Sequence, residues 1–232
     1  MNSVDSSLIF QAKGHILFQE YDSLRWDQDY PNEYEGIYIM DSILSELIPF
    51  VSDSSEEELF HPETGIYSKF DKLNLIDFYI FNYFILHEDF WDKNYFLVRN
   101  TYPGKFFLIP WDYDYCFGQF AWNEYDPERN EESDIRQLNN LFNRLLNNED
   151  YRTCVKDRWF NLRLSIWSDQ GILDILKDIF DEVEGMLEIE TTKWNPGDMR
   201  PHWRNDVDES VKLLFGWIPK RLNFCDGYFE AF

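Results

Sequence analysis

An acid and an amide five residues apart, Asp89 and Asn94, stand in the stretch His87-Glu-Asp-Phe-Trp-Asp-Lys-Asn94. Two apolar runs follow, Tyr95–Val98 and Phe106–Ile109. The second leads into Pro110-Trp-Asp-Tyr-Asp-Tyr-Cys-Phe-Gly118, which carries two further carboxylates, Asp112 and Asp114. Carboxylate and amide oxygens are hard donors of the kind that Mg²⁺ takes. Two acids in alternation on a strand point to one face. Keeping both ionised beside Trp111 and Phe117 is costly unless a cation neutralises them. The set reads as a divalent-cation site with an acid at hand to take or orient a proton. The spacing of Asp89 and Asn94 alone does not decide this, because this chain is rich in both residue types. Asp89 taken by itself also reads as a solvated loop carboxylate near a helix end.

The elements around these residues argue for the site. Leu73–His87 reads as a helix that is apolar on every side (Leu75-Ile76, Tyr79-Ile80, Tyr83-Phe84), so it belongs inside the molecule. Its C-terminal end would deliver His87 and Asp89. Tyr102-Pro103-Gly104-Lys105 joins the two apolar runs and predicts a type II turn, with Pro at its second position and Gly at its third. The order is helix, acid, amide, hairpin, acid. Protein kinases use the same order: the aspartate of H-R-D-x-x-x-x-N accepts the hydroxyl proton, the asparagine holds Mg²⁺, and a hairpin brings the D-F-G aspartate to the metals. His87, Asp89 and Asn94 fall on the H, D and N of that pattern, with Glu88 in place of Arg.

The segment Asn94-Tyr-Phe-Leu-Val…Gly104-Lys-Phe-Phe-Leu-Ile-Pro-Trp-Asp-Tyr-Asp…Phe117-Gly118 closely resembles the core motif of the CotH-type kinases, the spore coat protein H family. Leu8-Ile-Phe-Gln-Ala-Lys-Gly14, Asn143–Arg152, Lys193-Trp194, Trp203 and Lys220-Arg221 extend the likeness over nearly the whole chain. The resemblance implies an atypical protein kinase that uses Mg²⁺ (or Mn²⁺) and ATP to phosphorylate a basic, Ser-rich protein. It implies a mainly helical α+β fold, a kinase-like large lobe with a β-hairpin at the metal site. In that reading Asp89 is the base or hydroxyl-orienting group, and Asn94, Asp112 and Asp114 hold metal. Lys93 and Asp114 would face the nucleotide phosphates; Lys93 also reads as a surface lysine. Residues 1–232 are expected to form one domain, with 1–35 a lead-in to a helical lobe over 36–232. The resemblance also implies a small nucleotide-binding lobe that nothing in this sequence matches. No two of the ten glycines lie closer than eleven residues apart, so there is neither a G-x-G-x-x-G nor a Walker A loop.

Composition narrows the alternatives. The 232 residues are 44% hydrophobic and 19% aromatic, enough for a sizeable core. The formal net charge of −23 argues against nucleic acid and against anionic membranes. It suits a basic polypeptide, or simply keeps an aromatic-rich chain in solution. The first twelve residues hold no Lys or Arg and no spanning run follows, so neither a secretory signal nor a transmembrane helix is expected. Three widely spaced cysteines give no disulfide framework and no zinc spacing. A cytoplasmic or spore-coat location is the expectation.

Elsewhere, Leu8–Ala12 and Ile16–Glu20 read as strands. The spacing of Ile37, Met40, Ile43, Leu44, Leu47 and Ile48 predicts a helix ending near Pro49, and Ser54-Ser55 before Glu56–Glu58 predicts a capped helix start. Helices are expected at about 133–147, 150–167, 169–190 and 203–224. His87 reads as a structural hydrogen-bonding group, Lys13 as solvated, Trp111 as a core anchor, and Arg158–Arg163 as a counterweight to acidic helices. Two other function classes remain open: a non-catalytic module that binds a basic protein, and a carbohydrate-active enzyme with paired carboxylates. Asp112 and Asp114 as neighbours on one strand suit a shared metal better than opposed acid and base roles.

Overall fold

A computed structural model describes residues 7–14, 17–32, 38–87, 91, 93–101, 103–113, 116–118, 126–194 and 207–232. The chain is mainly helical with one small antiparallel sheet. Strands β1 (Leu8–Ala12), β2 (Trp26–Tyr30), β3 (Tyr95–Arg99) and β4 (Phe107–Pro110) lie in the order β2-β1-β3-β4. The expected hairpin is therefore half of a larger sheet. β1 pairs with both β2 and β3, so the N-terminal segment is built onto the strands that lead to the site. Leu8, Phe10 and Ala12 alternate inward with Tyr95 and Leu97. Leu17–Glu20, read from sequence as part of a strand, is not one. Leu17 makes only an isolated parallel bridge to Asn139, and the second strand lies further on, at Trp26–Tyr30.

Helix α1 (Met40–Asp53) runs past Pro49 for another turn. The short α2 (Glu56–Leu59) begins with a full capping box, in which Ser55 and Glu58 satisfy each other's backbone donors. After α3 (Ile66–Lys69) comes α4 (Lys72–Ile85), capped by Asp71, which buries nine side chains. Its all-round apolar sequence places it at the centre, as expected. The predicted helix over 133–147 is two helices, α5 (Glu132–Leu138) and α6 (Asn140–Asn147). The side chain of Asn139 caps the second, and its extended backbone breaks the run. Then follow α7 (Glu149–Arg163), α8 (Asp169–Trp194) and α9 (Val207–Glu230). Arg158 pairs with Asp77 of α4, and Arg163 with Asp169 and Asp226, so this basic stretch does neutralise neighbouring acids.

The core is an aromatic stack centred on α4. Tyr83 stacks on Tyr228 of α9 with ring centroids 4.2 Å apart, and Tyr79 packs on Trp91, Phe142 and Phe229. The outer edge of β4 is closed by a side chain: Asn74 of α4 both donates to the carbonyl of Leu108 and accepts from its N–H, as a neighbouring strand would. This bond pair fixes the hairpin against the helix that precedes the site.

Candidate active site

The C-terminal end of α4 is anchored completely. Its last four carbonyls have no helical partner of the ordinary kind. Leu86, in the left-handed conformation at φ 53°, turns its N–H back to Asn82. The carbonyls of Tyr83 and Phe84 accept from the guanidinium of Arg221, and that of Ile85 accepts from the N–H of Phe117. Arg221 is fully buried on α9 and also donates to the carbonyls of Pro127 and Arg129. Thus α9, the loop before α5 and the segment after β4 all grip the helix end that carries His87.

His87 follows at once and is buried. Its Nε2 lies 3.0 Å from the carbonyl oxygen of Asp112. A carbonyl only accepts, so Nε2 carries the proton, and the ring ties the helix end to the acid's backbone. Tyr113 packs on the His87 ring at 4.5 Å, and its hydroxyl donates to Asn82 Oδ1 at 2.5 Å. Burial pushes the Tyr113 phenol above its usual pKa, so it stays a donor. His87 is thus a structural group, as its place beside an apolar helix suggests.

Asn94 meets Trp111, the residue before Asp112, at one end of the hairpin. Tyr95 pairs with Pro110, and the N–H of Trp111 donates to the carbonyl of Asn94 at 3.0 Å. Asn94 is half-buried with Lys93 beside it, while Asp112 is exposed. Both Asn94 (φ 63°) and Asp112 (φ 60°) are left-handed. Of the five non-glycine residues with positive φ among the described residues, four (Leu86, Asn94, Asp112 and Phe117) border this place, and Gly118 adds a fifth such backbone. Strain of this kind persists where the surroundings impose it, and it clusters at functional sites. Asp112 therefore lies in a bent loop beyond β4. The alternation argument for two carboxylates on one strand does not apply to it, because the strand ends at Pro110.

Two other readings need correction. Trp111 is no core anchor: it is 51% exposed and meets Phe96 edge-on at 5.3 Å. Gly104 does not take the left-handed backbone of a type II turn. Glycine is needed there for space, since a Cβ would lie 2.2 Å from the carbonyl oxygen of Thr101. Lys13, read as solvated, pairs with Asp27 at 2.5 Å on the surface. Asp89 and Asp114 lie outside the described residues, as does Tyr102 of the turn. Among the described residues, no three of His, Cys, Asp and Glu form a metal-binding group.

A family model for CotH kinase protein matches residues 10–225. The chain belongs to the CotH kinase family. No curated protein matches it. The matched span includes β2, β3, β4, most of β1, α4 and most of α9, so the hairpin, Asp112 and the buried arginine of this CotH-family chain all lie within it.

Sequence reasoning missed the groups that hold this arrangement. Trp91, two residues past Asp89, is buried and donates to Glu131 at 3.3 Å. Glu131 is itself buried and lies 3.9 Å from Arg221. Burial pushes its pKa up to about 8, against the opposing pull of Arg221 and of the Trp91 bond. One legible sign existed. Arg221 sits at helical spacing between Ile218 and Cys225, on the buried stripe of α9, where a charge needs a dedicated partner.

Among the described residues, no helix is long and apolar enough to cross a membrane.

Proposed function

We propose that the chain is a metal-dependent protein kinase that transfers the γ-phosphoryl group of ATP to a serine or threonine hydroxyl of a basic, Ser-rich protein. The observation that best supports this is the backbone junction joining the end of α4, Asn94 and Asp112 through His87 and Trp111. That junction sets an acid and an amide at the mouth of a hairpin, in the order phosphoryl-transfer sites use. Family membership supports the same reaction class.

In this reading residues 1–232 are one domain, and 36–232 form a kinase-like large lobe. Asp89 accepts the proton as the substrate oxygen bonds to the γ-phosphorus and the bond to ADP breaks. The Asn94 side-chain oxygen and the Asp112 carboxylate are hard donors that fit Mg²⁺ or Mn²⁺, with Asp114 as a further ligand. The bound metal would neutralise charge on the ATP phosphates. Lys93 would approach those phosphates as a point charge. The left-handed backbones at Asn94 and Asp112 would fix the positions from which both side chains reach the metal, and positioning of this kind contributes to rate. The formal charge of −23 attracts a basic substrate, and a spore-coat location follows from the resemblance. The sequence supplies no glycine-rich phosphate loop, so transfer by this chain alone is expected to be slow.

The test is phosphate incorporation from labelled ATP into a Ser-rich basic peptide, with Asp112→Asn alongside. Transfer by the wild type that the variant loses would support the kinase reading. Equal background in both would favour the alternative, a non-catalytic module that binds a basic partner.

A further inference from the structure

At the far end of the hairpin lies a second, oppositely charged place. A cleft of about 790 Å³ opens between α1, the end of α3 and the β3–β4 turn. Among the described residues, three cations line it, Lys69, Arg99 and Lys105, together with one acid, Glu46. They stand in a chain whose net charge is −23. Elsewhere several cations pair with acids, as in Arg144–Glu56 and Arg158–Asp77. Among the described residues, neither Lys69 nor Lys105 makes an ion pair.

The cationic wall is built into the fold. The N–H of Phe106 donates to the carbonyl of Lys69 at 2.7 Å, and that of Asp71 to the carbonyl of Phe106 at 3.0 Å. This bridge sets Lys69 beside Lys105. Lys69 Nζ lies 5.5 Å above the Phe50 ring, and the Arg99 guanidinium 5.2 Å from the Phe106 ring. The floor is apolar, with Ile43, Leu47 and Phe50 on one side and Phe106 on the other.

We propose that this cleft binds a phosphate monoester carried on a polypeptide, a phosphoserine of the substrate protein. A phosphoserine carries about −1.5 to −2 charges at pH 7, which the ammonium groups of Lys69 and Lys105 would meet. A free phosphate would leave the apolar floor and most of the volume unused, whereas residues flanking a phosphoserine would cover them. The cleft is distinct from the Asn94–Asp112 end. Arg99 is separated from Tyr95 by the length of β3, about 13 Å at roughly 3.3 Å per residue. A phosphoserine held there stands at least about four extended residues from an acceptor at Asp112. The inference rests on the kinase reading for the origin of the phosphoserine. It would make the enzyme favour substrate that already carries phosphate.

The test is direct binding, read by fluorescence anisotropy, of a labelled Ser-rich peptide with and without one phosphoserine. The expected result is at least about tenfold tighter binding of the phosphopeptide. The double variant Lys69→Ala/Lys105→Ala should remove that preference with an unchanged melting temperature, since both side chains are exposed. Asp112→Asn should leave it intact. Equal binding of the two peptides would overturn the proposal, as would a preference that survives the double variant. Displacement by inorganic phosphate at the phosphopeptide's own concentration would overturn the polypeptide part, since the flanking residues would then add nothing. Phosphopeptide preference in a chain that transfers no phosphate would uphold the cleft and count against the kinase reading alone.

Discussion

Arg221 is the residue whose loss should tell most about how the site is held. Arg221→Met keeps much of the side-chain volume but removes every donor. The carbonyls of Tyr83 and Phe84 at the end of α4, and those of Pro127 and Arg129, then face a buried apolar group. Each buried acceptor left without its donor costs about 1–3 kcal/mol, so after local relaxation a loss of about 3–5 kcal/mol is expected for the four carbonyls together. A domain's whole stability is about 5–15 kcal/mol. For a chain of this size each kcal/mol moves the melting temperature by about 2–4 °C, so a fall of roughly 6–20 °C is expected. Little of this should come from Glu131. Its carboxyl is held near pKa 8 by burial and is largely protonated at pH 7, and its oxygen lies 3.9 Å from the guanidinium. A double-mutant cycle with Glu131→Gln at pH 7 should therefore show coupling below about 1 kcal/mol. Urea unfolding followed by tryptophan fluorescence measures both quantities. A loss under about 1 kcal/mol for Arg221→Met, or a cost that coupling to Glu131 explains entirely, would refute the assignment of Arg221 as the clamp on α4.

Three further outcomes follow from the same geometry. Glu131 has a folded pKa of about 8, above the roughly 4.3 of an unfolded glutamate, so its contribution is full below about pH 4.3 and is lost as pH rises through 8. Subtracting the stability-pH curve of Glu131→Gln should expose a decline of up to about 1.4 kcal/mol per pH unit across that window. Asp112→Asn and Asp112→Ala should both abolish phosphate transfer, but Ala should cost about 1 kcal/mol more in stability, because Asn tolerates φ 60° and Ala does not; thermal melts read the difference. Asn74→Ala strips both backbone bonds from Leu108 and should lose about 1–3 kcal/mol in urea unfolding, with faster amide exchange at Leu108.

What the sequence displayed was periodicity and punctuation. The central helix was legible because an all-apolar run of that length cannot lie on a surface. The capped start at Ser55 was legible because a capping box is local. The pairing of Tyr95–Arg99 with Phe107–Pro110 was legible because two apolar runs flank a Pro-Gly turn. Readings failed where distant chain decided. Trp111 looks like core by composition, yet it lies just past the end of β4, and the ring stays on the surface. Asp112 looks like a strand residue by alternation, yet His87, twenty-five residues earlier, holds its carbonyl in a left-handed bend. The clamp on α4 comes from more than a hundred residues away, so no local pattern near the motif announces it. Such long-range polar bonds satisfy backbone groups that a helix end or a bend leaves without a partner. The buried arginine and the strained loop are linked through one residue: Arg221 holds the carbonyls at the end of α4, and His87, which follows that end, bonds the carbonyl of the left-handed Asp112.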